Sequence, residues 1–152
     1  MKCFTNDHCG GLSAVPQEHQ DDIYDVITVV DIKPDRGTAP EFRDAFNLGL
    51  QSKGWSTKTS LSTGSKISIS STKGTTGLCM QTGGNMSRMY ADLLKLQHLY
   101  ITGKIKCGVM IVPTKPTAKL LGDNMVHASR LVQELTLFNR VIHIPMIICS
   151  FE

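Results

Sequence analysis

Residues 65–104 constrain the fold most, because they combine two strand patterns, a turn and a long amphipathic helix pattern. Residues 66–71 alternate apolar and polar side chains, which predicts a half-buried strand. Lys73-Gly74 supplies a turn, and residues 77–82 predict a second strand. Apolar residues then recur at helical spacing over residues 86–101. The sequence therefore predicts a β-hairpin followed by a helix.

Side-chain direction in these two strands brings three polar residues together. Because side chains alternate along a strand, Ser68 lies on the face opposite Ile67 and Ile69. Cys79 and Gln81 share one face of the second strand for the same reason. We therefore predict that Ser68, Cys79 and Gln81 converge on one small patch.

The remaining chain predicts an α/β protein formed by one domain over residues 1–152. Helical spacing of apolar residues favours helices near residues 40–53 and 125–139. The same spacing occurs near residues 17–30, where a β-branched run weakens the helix prediction. A nearly continuous apolar run predicts a strand over residues 106–112, buried on both faces, and a further apolar strand is predicted over residues 141–151. Residues 1–16 are polar, glycine-bearing and aperiodic, which predicts a loose N-terminal arm.

Composition excludes several classes of protein. No apolar run approaches the ~20 residues that span a bilayer, and the N-terminal sequence lacks the apolar segment of a secretory signal. We therefore expect no membrane association, a cytoplasmic location and five free cysteines. Charge is uneven: residues 1–52 carry nine acids and four bases, whereas residues 53–152 carry four acids and twelve bases. This asymmetry favours a polyanionic partner for the second part.

The motif Gln81-Thr82-Gly83-Gly84-Asn85 resembles one in the PD-(D/E)xK restriction endonucleases of the BamHI and BglII type. These nucleases carry an Asp on a first strand, Glu-x-Glu or Glu-x-Gln on the next, then Thr-Gly-Asn and a helix. The present motif matches the end of that family pattern, with one extra glycine before the Asn. Similar segments at residues 45–55 and 108–115 extend the resemblance over residues 18–151. It implies a restriction-endonuclease-like fold, a central mixed β-sheet flanked by helices.

Two departures from the family pattern affect the expected metal site. Ser68 is the best candidate at the position of the strand Asp, and Cys79 replaces the first Glu, so only Gln81 remains. Mg²⁺ prefers carboxylate oxygens, and neither a hydroxyl nor a thiol replaces them. The resemblance therefore implies a DNA-binding protein that is deficient in cleavage. We expect no cofactor, or Mg²⁺ if the protein is active.

The resemblance also implies a homodimer that binds double-stranded DNA. The helices that form the dimer in that family correspond to residues 86–101 and 125–139 of this chain. The expected DNA contacts lie at the starts of these helices and on the lysines near the hairpin: Asn85, Ser87, Arg88, Asp123, Asn124, Lys58 and Lys66. Asn pairs with adenine, Asp accepts a hydrogen bond from cytosine, and helix-start N–H groups bind phosphate.

Other interpretations remain open from the sequence. An active Mg²⁺-dependent nuclease would have to recruit a carboxylate such as Asp22, Asp25 or Glu41, although the acids of the first helix are expected on a solvated face. Alternatively, the chain is an interaction module whose dimer helices capture a nuclease subunit. A cysteine hydrolase would require His98 or His127 beside Cys79.

Overall fold

The computed structural model describes residues 1–152 as a mixed sheet covered by helices on both faces. The strands are β1 (Cys3–His8), β2 (Thr59–Ser60), β3 (Ser68–Ile69), β4 (Ser71–Lys73), β5 (Thr76–Met80), β6 (Cys107–Pro113) and β7 (Met146–Phe151). The helices are α1 (Gly11–Ala14), α2 (Gln17–Val29), α3 (Ala39–Ser52), α4 (Met86–Ile101), α5 (Lys115–Leu121) and α6 (Ala128–Leu137). The predicted central mixed sheet flanked by helices is confirmed.

The main sheet has the order β1-β7-β6-β5-β4, and β2 pairs with β3 in a separate small sheet. Strands β5, β6 and β7 run parallel, whereas the edge strands β1 and β4 are antiparallel to their neighbours. Every residue of the three parallel strands is buried. Helices α2 and α3 cover one face, and α4 and α6 cover the other, so the chain has two hydrophobic cores. No helix is long and apolar enough to span a bilayer.

The prediction of a loose arm over residues 1–16 is wrong. Cys3–His8 forms the edge strand β1, which pairs along the whole of β7. An edge strand has one neighbour and four of its six residues face solvent, so it lacks the apolar pattern of a buried strand. Its backbone bonds satisfy the otherwise open edge of β7.

The first strand of the predicted hairpin is divided in two. Ser68–Ile69 pairs with β2, and only Ser71–Lys73 pairs with β5. As a result Ile69 is buried, whereas Ile67 is exposed. The second strand ends at Met80, so Gln81 lies just beyond it.

The helix predictions are confirmed for α2, α3 and α4 to within two residues. Helix α6 begins three residues later than predicted, because the His127 side chain accepts a hydrogen bond from the Arg130 N–H and caps the helix there. Asn124 before it has φ +55°, which a continuing helix does not allow. Strand β7 begins only after Pro145, which has no N–H to donate to a ladder.

The acids of α2 are not all on a solvated face, since Asp22 is buried. Its Oδ2 accepts hydrogen bonds from Trp55 Nε1 at 3.0 Å and from Lys73 Nζ at 2.9 Å. Burial alone would raise the pKa of the Asp22 carboxyl, but the bonds from Lys73 and Trp55 outweigh it and hold the pKa below its usual value. Asp22 therefore ties α2 to β4, and Trp55 is a core residue as predicted.

Candidate functional site

Ser70 directly precedes β4 and hydrogen-bonds to β5 on both sides of Cys79. The last pair of the β4–β5 ladder is Ser71 with Leu78, so Ser70 lies just beyond the ladder, beside Cys79. The Ser70 N–H donates to the Leu78 carbonyl at 3.0 Å, and Ser70 Oγ accepts from the Met80 N–H at 3.2 Å. Ser70 thus occupies the place beside Cys79 that the sequence analysis gave to Ser68.

Ser68 itself pairs with Ser60 in the small sheet. Its side chain lines the same cleft as Ser70, but Ser68 belongs to β3, whereas Ser70 lies between β3 and β4. The register explains the difference, because the ladder closes on a two-residue turn at positions 74–75. Counting back from that turn gives Ser70 opposite Cys79, so the sequence held the signal.

Cys79 points into the core beneath α4 and has no exposed surface. Burial raises the pKa of its thiol well above the ordinary value, and the nearby Asp92 charge raises it further. The thiolate, not the thiol, is the nucleophile and the metal ligand. Neither His98 nor His127 hydrogen-bonds to it. Cys79 is therefore an inert core residue.

Gln81 and a carboxylate of α4 form a polar bridge at the end of β5. The Gln81 N–H donates to the Ile111 carbonyl at 2.9 Å, which fixes its backbone to β6. Its Nε2 donates to Asp92 Oδ2. Lys95 Nζ donates to Asp92 Oδ1 at 2.8 Å, so both carboxylate oxygens are engaged.

Sequence reasoning missed Asp92, although a signal for it exists. Asp92 lies within the apolar stripe of α4, three residues after Met89 and four before Leu96, and only 7% of it is exposed. An acid inside a buried stripe needs a partner. Lys95, one turn later, supplies it.

A polar cleft of about 360 Å³ opens beside this bridge. The residues around it come from α3, the segment after α3, the strands β3 and β5 and helix α4: Arg43, Asn47, Gln51, Thr57, Lys58, Ser68, Ile69, Ser70, Met80, Asp92 and Lys95. It contains three cationic side chains and one acid. Lys58, predicted to contact phosphate, lies in this cleft, whereas Lys66 does not line it.

The donors at this site do not fit a Mg²⁺ ion. Ser70 offers a hydroxyl, Cys79 a buried neutral thiol and Gln81 only a neutral amide oxygen. The one carboxylate of the cleft, Asp92, is neutralised by Lys95. Mg²⁺ requires hard oxygen ligands in near-octahedral geometry. Nowhere in the chain do three or more His, Cys, Asp or Glu side chains come together as a metal-binding group.

The carboxylates that an active nuclease would have to recruit lie elsewhere. Asp22 is bonded to Lys73 and Trp55. Asp25 pairs with Lys53 at 2.9 Å, and neither Asp25 nor Glu41 lines the cleft.

The loop before α4 carries three of the predicted DNA contacts. Asn85 caps the helix, because its Oδ1 accepts from the Arg88 N–H at 3.1 Å. Ser87 and Arg88 are exposed. Arg88 lines a second cleft of about 420 Å³, which shares Arg43 with the first. The two clefts therefore form one continuous polar surface.

The loop before α6 carries two further predicted DNA contacts, Asp123 and Asn124. Asp123 forms an ion pair with Arg36 on the exposed surface, in which Arg36 Nη2 donates to Oδ1 at 3.0 Å and to Oδ2 at 2.9 Å. Asn124 lines a third, smaller cleft with Arg130. The Val126 N–H donates to the Gly84 carbonyl at 3.0 Å, so this loop is bonded to the loop before α4.

An apolar groove of about 270 Å³ lies between α4 and α6. Its lining includes Tyr90, Leu94, Phe138 and Val141, and Leu94 and Val141 are more than half exposed. Glu134 Oε2 lies buried in this groove without a hydrogen-bond partner. This face therefore combines exposed apolar side chains with an unpaired buried oxygen.

Comparison with known proteins gives a consistent result. The family model described as restriction endonuclease BglII/BglIII matches residues 5–151. A crystal structure of restriction endonuclease BglII complexed with a DNA 16-mer matches with a TM-score of 0.86 at 10% identity, covering 99% of this chain and 76% of that one. The crystal structure of free BglII matches with a TM-score of 0.67 at 15% identity, covering 100% of this chain and 80% of that one. No protein with a curated description matches the chain.

Proposed function

Because the chain belongs to the restriction endonuclease BglII/BglIII family, we propose that it binds double-stranded DNA along its polar surface and is deficient in cleaving it. The observation that carries this proposal is the donor set of the cleft. Ser70 and the buried Cys79 stand where the family resemblance calls for carboxylates, while Arg43, Lys58 and Lys95 give the cleft positive charge.

The proposed deficiency follows from the chemistry of phosphodiester hydrolysis. A metal ion in such a site neutralises developing charge and generates hydroxide near neutral pH. Ser68, Ser70 and Gln81 offer only neutral oxygens, and Asp92 is engaged by Lys95. The serine hydroxyls and the cations of the cleft remain suitable for binding a phosphate backbone.

We propose that the loops before α4 and α6 contact the edges of the DNA bases and so recognise the DNA sequence. Ser87 and Arg88 are exposed beside the cleft, and the Nδ2 of the capping Asn85 donates no hydrogen bond within the chain. Asn124 is exposed on the neighbouring loop, whereas Asp123 would have to leave Arg36 before it accepts from a base. We therefore expect the loop before α4 to provide the main base contacts.

A homodimer through α4 and α6 is the proposed assembly. The exposed apolar groove, with the unpaired Glu134 Oε2, supports an interface on this face. Two-fold symmetry gives each subunit one half of a palindromic site. Light scattering should give twice the 16.7 kDa chain mass, and Leu94→Glu should give the single mass. A monomeric wild-type protein that binds a nuclease subunit would instead support the interaction module.

The function is tested by incubating the protein with random-sequence duplex DNA and plasmid, in EDTA, Mg²⁺ and Mn²⁺. We expect a mobility shift without cutting in all three. Cutting of plasmid by the wild-type protein would overturn the proposed deficiency and support an active enzyme. The absence of any shift would overturn DNA binding.

A second test restores carboxylates to the site by mutation and asks whether cleavage returns. Ser70→Asp with Cys79→Glu places one carboxylate directly before β4 and one on β5 beside it, and Ser68→Asp with Cys79→Glu is the matched control. Circular dichroism checks that the buried Glu has not unfolded the chain. Mg²⁺-dependent nicking by the first pair alone would support the proposal, and activity of the control alone would contradict the assignment of Ser70.

A further inference from the structure

The positive charge of the cleft is not neutralised by the chain itself. Lys58 forms no ion pair, and Arg43 contacts only its exposed neighbour Asp44 at 3.4 Å. Lys95 is the one cation with a close partner, Asp92 at 2.8 Å. Three cations therefore face a single carboxylate, and the surplus is open to solvent at the cleft.

Several neutral donors in the cleft are also free. The side chains of Asn47, Gln51 and Ser68 line it and form no hydrogen bond with the rest of the chain. Ser70 Oγ accepts from the Met80 N–H, and its own hydroxyl hydrogen has no acceptor. A site with free N–H and O–H donors and surplus positive charge suits an anion with several acceptor oxygens.

We infer that a backbone phosphate of bound DNA occupies this cleft and is held directly by Lys58, Lys95 and Arg43, with no divalent ion between protein and phosphate. This inference rests on the proposed function and adds the residues that replace the metal. A carboxylate-lined site repels a phosphate until a cation fills it. Here Lys95 is built in beside Asp92 and removes that need.

The inference has two measurable consequences. EDTA should leave DNA affinity unchanged, since no ion takes part. Loss of one phosphate-contacting lysine should weaken binding equally for all sequences and reduce the slope of log affinity against log salt by about one.

The test uses the full chain, a mixed-sequence fluorescent duplex and anisotropy titrations in EDTA across a range of salt. The variants are Lys58→Gln, Lys95→Gln and Asp92→Asn, with Lys106→Gln as the control. Lys106 is exposed next to the turn at the opposite end of β5, where its N–H bonds the Thr75 carbonyl. The control therefore loses the same charge away from the cleft.

We expect Lys58→Gln to weaken binding several-fold and Lys95→Gln to weaken it about tenfold or more, because the second change also leaves Asp92 unpaired against the phosphate. Asp92→Asn should strengthen binding, and Lys106→Gln should change it less than twofold. Each variant is checked for native circular dichroism and thermal melting.

Three results separate the inference from the proposed function. No binding by the wild-type protein would overturn both. Binding that requires Mg²⁺, or cleft variants that match the Lys106→Gln control, would overturn the inference and leave DNA binding intact. Strengthened binding by Asp92→Asn together with weakened binding by the lysine variants supports the inference.

Discussion

Two buried acids of this protein, Asp22 and Asp92, differ in what surrounds them. Asp22, on α2, accepts hydrogen bonds from Lys73 of β4 and from Trp55. Asp92 also receives two donors, Gln81 and Lys95, but it lies at the wall of an open cleft. The polar side chains of the first cluster, Asp22, Lys73 and Trp55, bond to each other, and we call it the closed cluster. The second, Asp92, Gln81 and Lys95, borders unpaired cations and hydroxyls of the cleft, and we call it the open cluster. Pairing alone therefore does not distinguish a structural acid from one in a binding site; the unpaired neighbours do.

The largest effect should come from opening the closed cluster. Asp22→Ala leaves Trp55 Nε1 without its buried acceptor and leaves Lys73 with Glu18 as its only acidic partner, and we expect a loss of about 2 kcal/mol in the free energy of unfolding. Urea denaturation measures it. DNA affinity of the folded variant should not change, in contrast to Asp92→Asn.

The control for this prediction is Asp21→Ala, an exposed acid one position earlier on the same helix. It should cost less than 0.5 kcal/mol, about the limit for a surface substitution. Equal losses for the two variants would show that Asp22 contributes no more than any acid of α2.

A smaller loss of stability should follow from a substitution at Gly84, next to the hydrogen bond between Gln81 and Asp92. A Cβ at Gly84 would lie 1.8 Å from Gln81 Oε1. Gly84→Ala therefore forces the Gln81 side chain away from Asp92, and we expect about 1 kcal/mol of lost stability, the worth of one hydrogen bond. Thermal melting measures it.

A double-mutant cycle tests the assigned cause. In a Gln81→Ala background, Gly84→Ala should cost nothing further, because the side chain that it displaces is gone. An undiminished cost in that background would place the strain in the backbone instead.

The smallest effect concerns pH and His19, whose ring packs edge-on against Trp55 with 5.3 Å between the ring centroids. Burial, and then the nearby Lys73 charge, lower the pKa of His19 below its ordinary 6.5. The folded state therefore binds fewer protons than the unfolded state, and stability decreases as the pH falls below about 6.5. His19→Gln should flatten this decrease in urea titrations between pH 7.5 and about 5.

His127 contributes with the same sign, since burial and Lys115 lower its pKa too. The double variant His19→Gln with His127→Gln should therefore be flatter than either single variant. An unchanged slope in the double variant would exclude both imidazoles as the origin of the acid sensitivity.

Much of the fold was predictable from the sequence, because periodic apolar residues fix α2, α3 and α4. Strand β1 was not, since an edge strand carries no apolar alternation and is held by the backbone of β7. The position of Ser70 depended on register, which one misplaced strand boundary shifts by two residues. Asp92 was missed although an acid in an apolar stripe indicates a buried partner; Lys95 could be found by helical spacing, but Gln81 reaches Asp92 only through the fold.

The hydrogen bond from the Val126 N–H to the Gly84 carbonyl has a consequence for how specificity evolves. The two loops proposed to read bases are fastened to each other at their roots, so a shift in one displaces the other. Exchanging either loop alone for that of a relative should yield a misaligned hybrid, whereas exchanging both together preserves their spacing. New target sequences are therefore expected to arise through paired changes in the two loops.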